Sequence, residues 1–459
     1  MTDLSAIIKA YDVRGTVPDQ LNEDVARAIG TAFARVLAER GAGKGEVVVA
    51  HDMRESGPGL VAAFADGLRS EGVDVINAGL CSTDQLYYAS GILDRPGAMF
   101  TASHNPAEYN GIKHCYAGAK PVGQDTGLDR VKEIAQELLD TGATAGELTG
   151  GYRERDMLPD YAAHLRDLVD LSAIRPLKVV VDAGNGMGGH TVPAVLGDAV
   201  LPPLPLDIVP LYFELDGSFP NHEANPLEPK NIVDLQKAVV AHGADIGLAF
   251  DGDADRCMVV DAEGKPVSPS AITALVAVRE LAKHPGAAII HNLITSRAVP
   301  EIIAEHGGKP VRTRVGHSFI KAEMARTGAV FGGEHSAHYF FQEFWGADTG
   351  MLVAMHVLAA LGEQDRPLSE LVAQYARYHA SGEINSTVTD QKAKLTEVAE
   401  AFGEYEQDEL DGLTITFPDG AWANLRPSNT EPLLRLNVEA ASPERMAALR
   451  DDILAIVRG

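Results

Sequence analysis

Three times along this chain a short apolar run stops abruptly in a polar loop. Pro96-Gly-Ala-Met-Phe100 runs into Thr101-Ala-Ser-His-Asn-Pro106, Asp245-Ile-Gly-Leu-Ala-Phe250 into Asp251-Gly-Asp-Ala-Asp-Arg256, and Thr327-Gly-Ala-Val-Phe331 into Gly332-Gly-Glu-His-Ser-Ala-His338. Short apolar runs bounded by turn residues read as strands buried on both faces. Helical patterns alternate with strand-like ones: Glu23–Arg40 precedes Glu46–Ala50, Asp160–Leu171 precedes Leu177–Val181, and Ala271–Lys283 precedes Ala287–Ile290. Such alternation predicts parallel sheets flanked by helices, with ligand groups in the loops at the carboxyl ends of the strands. The loops begin near residues 101, 251 and 333, too irregular for a solenoid repeat. Three related α/β domains with their loops turned to one cleft is the architecture this pattern predicts.

The last stretch differs. Leu413–Phe417, Ala421–Arg426 and Leu433–Val438 read as short strands and Pro443–Val457 as a helix, which predicts a smaller α+β domain. At 459 residues, with domains of about 100–150 residues, three or four domains are expected. Linkers are expected at Thr141–Gly151 and near 376–383.

A net charge of −26 without a basic stripe disfavours nucleic acid as a partner, although a few converging cations would still hold a small anion. Cys81, Cys115 and Cys257 are odd in number and lack CxxC spacing, so neither a disulfide framework nor a thiolate zinc site is expected. No signal-peptide pattern opens the chain. The longest apolar stretch, Met351–Leu361, is far short of the roughly 20 residues a membrane helix needs and reads as a buried helix. A cytoplasmic protein with no membrane partner is the expectation.

The loops carry the chemistry. Asp251, Asp253 and Asp255 alternate, so an extended segment would turn all three carboxylates the same way. The apolar flanks argue against a solvated acidic turn, and hard oxygen ligands suit Mg²⁺, Mn²⁺ or Ca²⁺. An EF-hand is ruled out because its glycine position is Arg256 and its terminal glutamate position is Ala262. Ser103 offers a hydroxyl that needs activation to act as a nucleophile; a self-bonded turn is the commoner fate of such a serine. Glu334, Ser336 and His338 offer polar groups at alternate positions, equally consistent with the polar face of a strand. Arg426-Pro-Ser-Asn-Thr430, with Arg435 nearby, suits an anion nest as well as a plain surface turn. Gly184-Asn-Gly-Met-Gly-Gly189 fits the dinucleotide fingerprint, but the helix after it is short, contains Pro193 and lacks a suitable acidic partner. No Walker A loop and no G-x-S-x-G elbow occurs.

In this order and spacing the motifs resemble the α-D-phosphohexomutase family, bacterial phosphomannomutase/phosphoglucomutases in particular, over essentially the whole chain. Lys9-Ala-Tyr-Asp-Val-Arg-Gly15 and Asn110-Gly-Ile-Lys113 complete the match. The resemblance implies a four-domain heart-shaped architecture: three α/β domains with mixed sheets at 1–150, 151–261 and 262–376, and a smaller α+β domain at 377–459. These would carry the phosphoserine, metal, sugar and phosphate loops respectively. It implies an isomerase acting as an intramolecular phosphotransferase, in which phospho-Ser103 passes its phosphoryl group to a hexose monophosphate through a hexose 1,6-bisphosphate. Mg²⁺ would be held by Asp251, Asp253, Asp255 and a Ser103 phosphoryl oxygen. Lys113 and Arg256 would stabilise the transferring charge and His104 would orient the serine loop, while Lys113, His317 or His338 would move the hydroxyl proton. Gly316 and His317, with Glu334 and Ser336, would read the sugar. Lys9, Tyr11, Arg14, Arg426, Ser428, Asn429, Thr430 and Arg435 would grip the remote phosphate.

Two departures from the family pattern stand out: Ala337 replaces a common glycine, and Ile294 sits where relatives supply a lysine, with Arg297 or Arg314 as possible substitutes. The expected activity is interconversion of mannose 6-phosphate and mannose 1-phosphate, with glucose phosphates as second substrates. Phosphoglucomutase or phosphoglucosamine mutase are the alternatives within the class; a sugar-phosphate phosphatase or a catalytically silent binder are the alternatives outside it. The expected state is a monomer or homodimer.

Overall fold

The valine-rich run Glu46–His51 forms a central strand because its neighbours supply both a sheet ladder and two apolar layers. In the computed structural model, which describes residues 3–9, 11–42, 45–142, 146–428 and 433–459, it pairs in parallel with Asp74–Leu80 on one side and Gly97–Phe100 on the other. Helices Glu23–Glu39 and Gly57–Ser70 cover one face. The first is capped by Asn22, whose side chain accepts from the Val25 amide at 3.1 Å, with Glu23 and Asp24 in its first turn. Phe33, Phe64 and Phe100 meet in the core beneath them.

The chain divides into two units, Met1–Val267 with Ser336–Ser369 and Ser268–His335 with Glu370–Gly459. In the first unit two sheets share one device. Gly97–Phe100 is parallel to its inner neighbour, and after the loop the chain returns antiparallel as Tyr109–Tyr116. Ile246–Phe250 is parallel to Leu177–Asp182 and returns antiparallel as Cys257–Asp261. The polar loops are thus the turns where a parallel sheet acquires an antiparallel strand, which makes the sheets mixed rather than purely parallel. All five residues of Ile246–Phe250 are buried, as the sequence pattern required. Helix Gly350–Gly362 is buried along its whole length and is capped by Thr349, whose hydroxyl accepts from the Leu352 amide. The helix expected at 160–171 spans Leu158–Leu168 and stops where Val169 turns extended.

In the second unit Ala288–Asn292 lies between Lys309–Thr313 and Phe331–Gly333, all parallel. The C-terminal strands Glu406–Asp408, Leu413–Thr416, Trp422–Pro427 and Leu433–Ala440 form an antiparallel meander backed by helices Gln391–Ala401 and Pro443–Arg458. Among the described residues no helix is long and apolar enough to cross a membrane.

Candidate active site

Both loops of the first unit are built on residues held in the left-handed region. Ser103 has φ of 48° and Ala254 has φ of 59°, conformations that cost an L-residue energy and concentrate at functional sites. The acidic segment is therefore a turn and not the extended run its alternation suggested. The turn nevertheless gathers Asp251, Asp253 and Asp255 so that one oxygen of each lies within 4.8 Å of the others. All three are buried.

The serine loop meets this turn directly. The Ser103 amide donates to Thr101 Oγ1 at 2.9 Å, and Ser103 Oγ donates to Asp251 Oδ2 at 2.8 Å. Arg256 donates from Nε to the same Asp251 oxygen at 2.9 Å, from Nη2 to His104 Nδ1 at 2.5 Å, and to Ser103 Oγ at 3.4 Å. Burial and the neighbouring Arg256 push His104 down to about 2, so its ring is neutral and accepts from Arg256. Lys113, opposite Met99 in the register, reaches Asp253 Oδ2 and Asp255 Oδ2, both at 2.7 Å. Burial works against its charge, but the two carboxylates outweigh burial and hold it well above the usual lysine range. The same ammonium keeps Asp253 low despite its burial, whereas Asp251 is raised by burial and by its acidic neighbours.

Three carboxylates therefore face two cations, Lys113 and Arg256. Asp253 Oδ1 and Asp255 Oδ1 are buried without a hydrogen bond. Buried acceptors left over in a net-negative cluster fit a hard divalent cation, so the donor set suits Mg²⁺.

The glycine-rich segment Gly184–Gly189 supports this centre. The Met187 amide donates to the Gly252 carbonyl at 2.9 Å. A Cβ on Gly186 would lie 2.7 Å from that oxygen, and one on Gly252 would lie 2.3 Å from the Ser103 carbonyl oxygen. Gly186 and Gly252 are thus spent on backbone approach, and the helix that follows, Gly188–Val195, is short and contains Pro193.

Three participants escaped the sequence reading. Thr83, just after the cap of helix Thr83–Leu93, donates from Oγ1 to Asp253 Oδ2 at 2.6 Å. Asp348 gathers with Asp255 and His338 in a second group of close ligand atoms. Arg54 bonds the serine loop. Only a strand-end position for Thr83 and Arg54 could have flagged them. His338 Nε2 lies 3.9 Å from Asp255 Oδ1, and its Nδ1 is 3.0 Å from Ser336 Oγ. Arg14 donates to Asn105 Oδ1 at 2.6 Å and so joins the serine loop, while Lys9 donates to the Ser5 carbonyl at 3.4 Å and Tyr11 is exposed.

In the second unit Glu334 is buried and accepts from the Gly316 amide at 3.0 Å and from Asn292 Nδ2 at 3.4 Å. Gly316 has φ of 131° and opens helix His317–Thr327; the His317 side chain lies outside the description. Arg426 faces Glu383 at 3.4 Å and Asp411 at 3.6 Å, and Arg435 shares Glu383 at 3.4 Å. The Ser428 amide donates to the Leu433 carbonyl; Asn429 and Thr430 lie outside the described residues. Ile294 is buried. Arg297 is engaged with Glu301 and the Gly420 carbonyl, whereas Arg314 is half-exposed over Phe319.

The four domain models of phosphoglucomutase/phosphomannomutase match this chain in order: alpha/beta/alpha domain I at residues 5–140, domain II at 159–264, domain III at 268–378 and the C-terminal domain at 383–456. The chain belongs to the phosphoglucomutase/phosphomannomutase family. It is a phosphohexomutase, an isomerase with three α/β domains and a smaller C-terminal one. It is 42% identical over 98% of its length to a relative from Xanthomonas campestris pv. campestris named for phosphohexose mutases, with 99% of that protein covered. It is 39% identical to a phosphomannomutase of Salmonella typhimurium, each chain covered to 96%. A crystal structure of a phosphoglucomutase/phosphomannomutase family protein from Burkholderia thailandensis superposes with a TM-score of 0.86 at 34% identity, covering 100% of this chain and 98% of that one.

Proposed function

We propose that this phosphohexomutase is a phosphomannomutase that interconverts mannose 6-phosphate and mannose 1-phosphate, and that it also accepts glucose phosphates. The observation that carries the reading is the hydrogen bond from Ser103 Oγ to Asp251 Oδ2 at 2.8 Å, beside two cations and two further carboxylates. The names of the Salmonella and Burkholderia relatives favour mannose, then glucose. The division into domains at 1–150, 151–261, 262–376 and 377–459 belongs to the same proposal.

Ser103 Oγ is the atom that carries the phosphoryl group in the resting enzyme. A free hydroxyl of the hexose monophosphate attacks phosphorus, the P–Oγ bond breaks, and a hexose 1,6-bisphosphate forms. Return of the other phosphoryl group to Oγ releases the isomer and restores the phosphoserine. Arg256 and Lys113 offset charge on the transferring group. Asp251, Asp253 and Asp255 would hold Mg²⁺, which when bound neutralises the same charge. His338, close to Asp255, is assigned the proton transfer, with Lys113 and His317 as the other candidates. Glu334 and Ser336 are assigned to the sugar hydroxyls. Arg426, Ser428 and Arg435, with Asn429 and Thr430, are assigned to the phosphate that is not transferred. Lys9, Tyr11 and Arg14 belong to the same assignment, although Arg14 also braces Asn105.

The test is turnover of mannose 1-phosphate and glucose 1-phosphate side by side, with Mg²⁺ and a trace of glucose 1,6-bisphosphate, in the native chain and in Ser103→Ala. Formation of 6-phosphates that collapses in the variant is expected, and the ratio of kcat/KM names the preferred sugar. Release of inorganic phosphate as fast as isomer forms would make the protein a phosphatase. No 6-phosphate from either sugar would overturn the proposal.

A further inference from the structure

The loop that bears Ser103 is held from behind by a buried cation. Arg54 follows strand Glu46–His51, and its side chain is 1% exposed. Its guanidinium donates to four backbone carbonyls of one short segment: Nη1 to Pro106 and Tyr109, both at 2.8 Å, and Nη2 to Ser103 at 3.0 Å and Asn105 at 2.7 Å. Asp52 balances the charge, with Oδ2 at 3.3 Å from Nε and Oδ1 accepting the Arg54 amide at 3.0 Å. The Phe219 ring lies 5.2 Å from the guanidinium carbon, and the chain at Gly217 packs so close that a Cβ there would lie 2.9 Å from Arg54 Cα.

Four carbonyls converge on one point only if the backbone turns sharply between them, and the turn begins at Ser103 with φ of 48°. An arginine suits this task because its planar fork presents several donors in fixed directions and cannot lose its proton. The Ser103 carbonyl is fixed twice, by Arg54 and by the close approach of Gly252, while the Ser103 amide is fixed by Thr101. With both backbone groups of Ser103 held, the direction of its Cα–Cβ bond is set, and from there Oγ donates to Asp251 Oδ2 at 2.8 Å.

We infer that Arg54 is a positioning residue for phosphoryl transfer: it templates the left-handed turn at Ser103 and thereby aims Oγ at the triad. The inference rests on the phosphoserine reading proposed above. It extends that reading to a group buried behind the loop, whose Nη donors are taken by backbone carbonyls and whose Nε faces Asp52.

The test is Arg54→Lys and Asp52→Asn in the full-length chain, read by kcat, by KM, by the rate at which Ser103 is phosphorylated from glucose 1,6-bisphosphate (intact mass), and by hydrogen exchange of residues 101–110. Arg54→Lys keeps the charge but loses the fork. Misplacement of a reacting group on the ångström scale should lower kcat and the phosphorylation rate about 100-fold, with KM within about 3-fold. Exchange should rise in 101–110 and not elsewhere. Asp52→Asn should show the same pattern more weakly, and it remains informative if Arg54→Lys does not fold. A folded variant with unchanged kcat and unchanged local exchange overturns the inference. So does a loss spread evenly over kcat, KM and global stability, which would make Arg54 a support of the fold only. If Ser103→Ala is as active as the native chain, the phosphoserine reading fails instead, and the Arg54 exchange result still stands or falls alone.

Discussion

Ser103 and Asp251 are 148 positions apart in sequence, yet the hydroxyl of one donates to the carboxylate of the other at 2.8 Å. The contact joins a loop of one sheet to a loop of a second, and each loop is the turn from a parallel strand into an antiparallel one.

Lys113 should matter to stability as well as to rate. Its ammonium bridges Asp253 and Asp255, and removing one partner of a buried ion pair leaves uncompensated charge at a cost of about 3 kcal/mol. Lys113→Met should unfold at markedly lower urea without divalent cations, and added Mg²⁺ should recover part of the loss. Equal destabilisation with and without Mg²⁺ would mean that the ammonium and the cation do not share these carboxylates.

Thermal stability should report metal binding without substrate. Mg²⁺ at about 100 times its dissociation constant stabilises the folded state by about 2.7 kcal/mol if it binds that state alone. The corresponding rise in Tm should vanish in Asp253→Asn and Asp255→Asn, whose Oδ1 atoms are the buried acceptors without a bond. A rise of the same size in both variants would place the cation elsewhere.

His222 and Asp182 should give stability a pH dependence. Burial lowers the His222 pKa, but the hydrogen bonds to Asp182 at 3.1 and 3.2 Å and its charge outweigh burial and hold it above the ordinary value. The folded state therefore binds the proton more tightly than the unfolded chain. The pair's contribution is fully present below the unfolded value of about 6.5 and is lost as pH rises through the higher folded value. Urea titrations from pH 5.5 to 8.5 should show the gap between native chain and Asp182→Asn narrowing as pH rises. A gap that widens would reverse the sign.

Ala337→Gly should be tolerated or stabilising. Ala337 is buried with φ of 62°. Relief of left-handed strain is worth about 1 kcal/mol and opposes a glycine entropy cost of similar size. A fall in Tm of more than a few degrees would show that the Ala337 methyl packs usefully and that the strain is small.

Arg426→Ala should raise KM more than it lowers kcat. Its carboxylate neighbours Glu383 and Asp411 sit at 3.4–3.6 Å, and Glu383 keeps Arg435 as a partner when Arg426 is gone. Binding of a phosphate present equally in the ground and transition states acts uniformly on both. An unchanged KM for mannose 1-phosphate would remove Arg426 from the substrate grip.

What the sequence made legible was local. The acidic triplet could be read because its three carboxylates fall within five residues and its flanks are apolar, although its backbone is a turn through Ala254 and not a strand. The serine loop could be read from Pro106 and the strand before it. Thr83 and Arg54 could not, because their partners lie 170 positions away in one case and about 50 in the other, with no periodic signal. The Gly184–Gly189 run shows the converse: its spacing was visible, but only the approach of Gly252 and the Ser103 carbonyl reveals what the missing side chains make room for. Arg297 was offered for the grip lost at Ile294, yet it is committed to Glu301 and the Gly420 carbonyl, which leaves Arg314 as the freer cation of the two.

The packing of Gly252 against the Ser103 carbonyl leaves no room for a side chain at position 252, where the loops of the two sheets of the first unit meet. A seam that tight cannot double as a hinge. Opening along it would lift the Ser103 hydroxyl off the Asp251 carboxylate, so the contact lasts only while the two loops move as one piece.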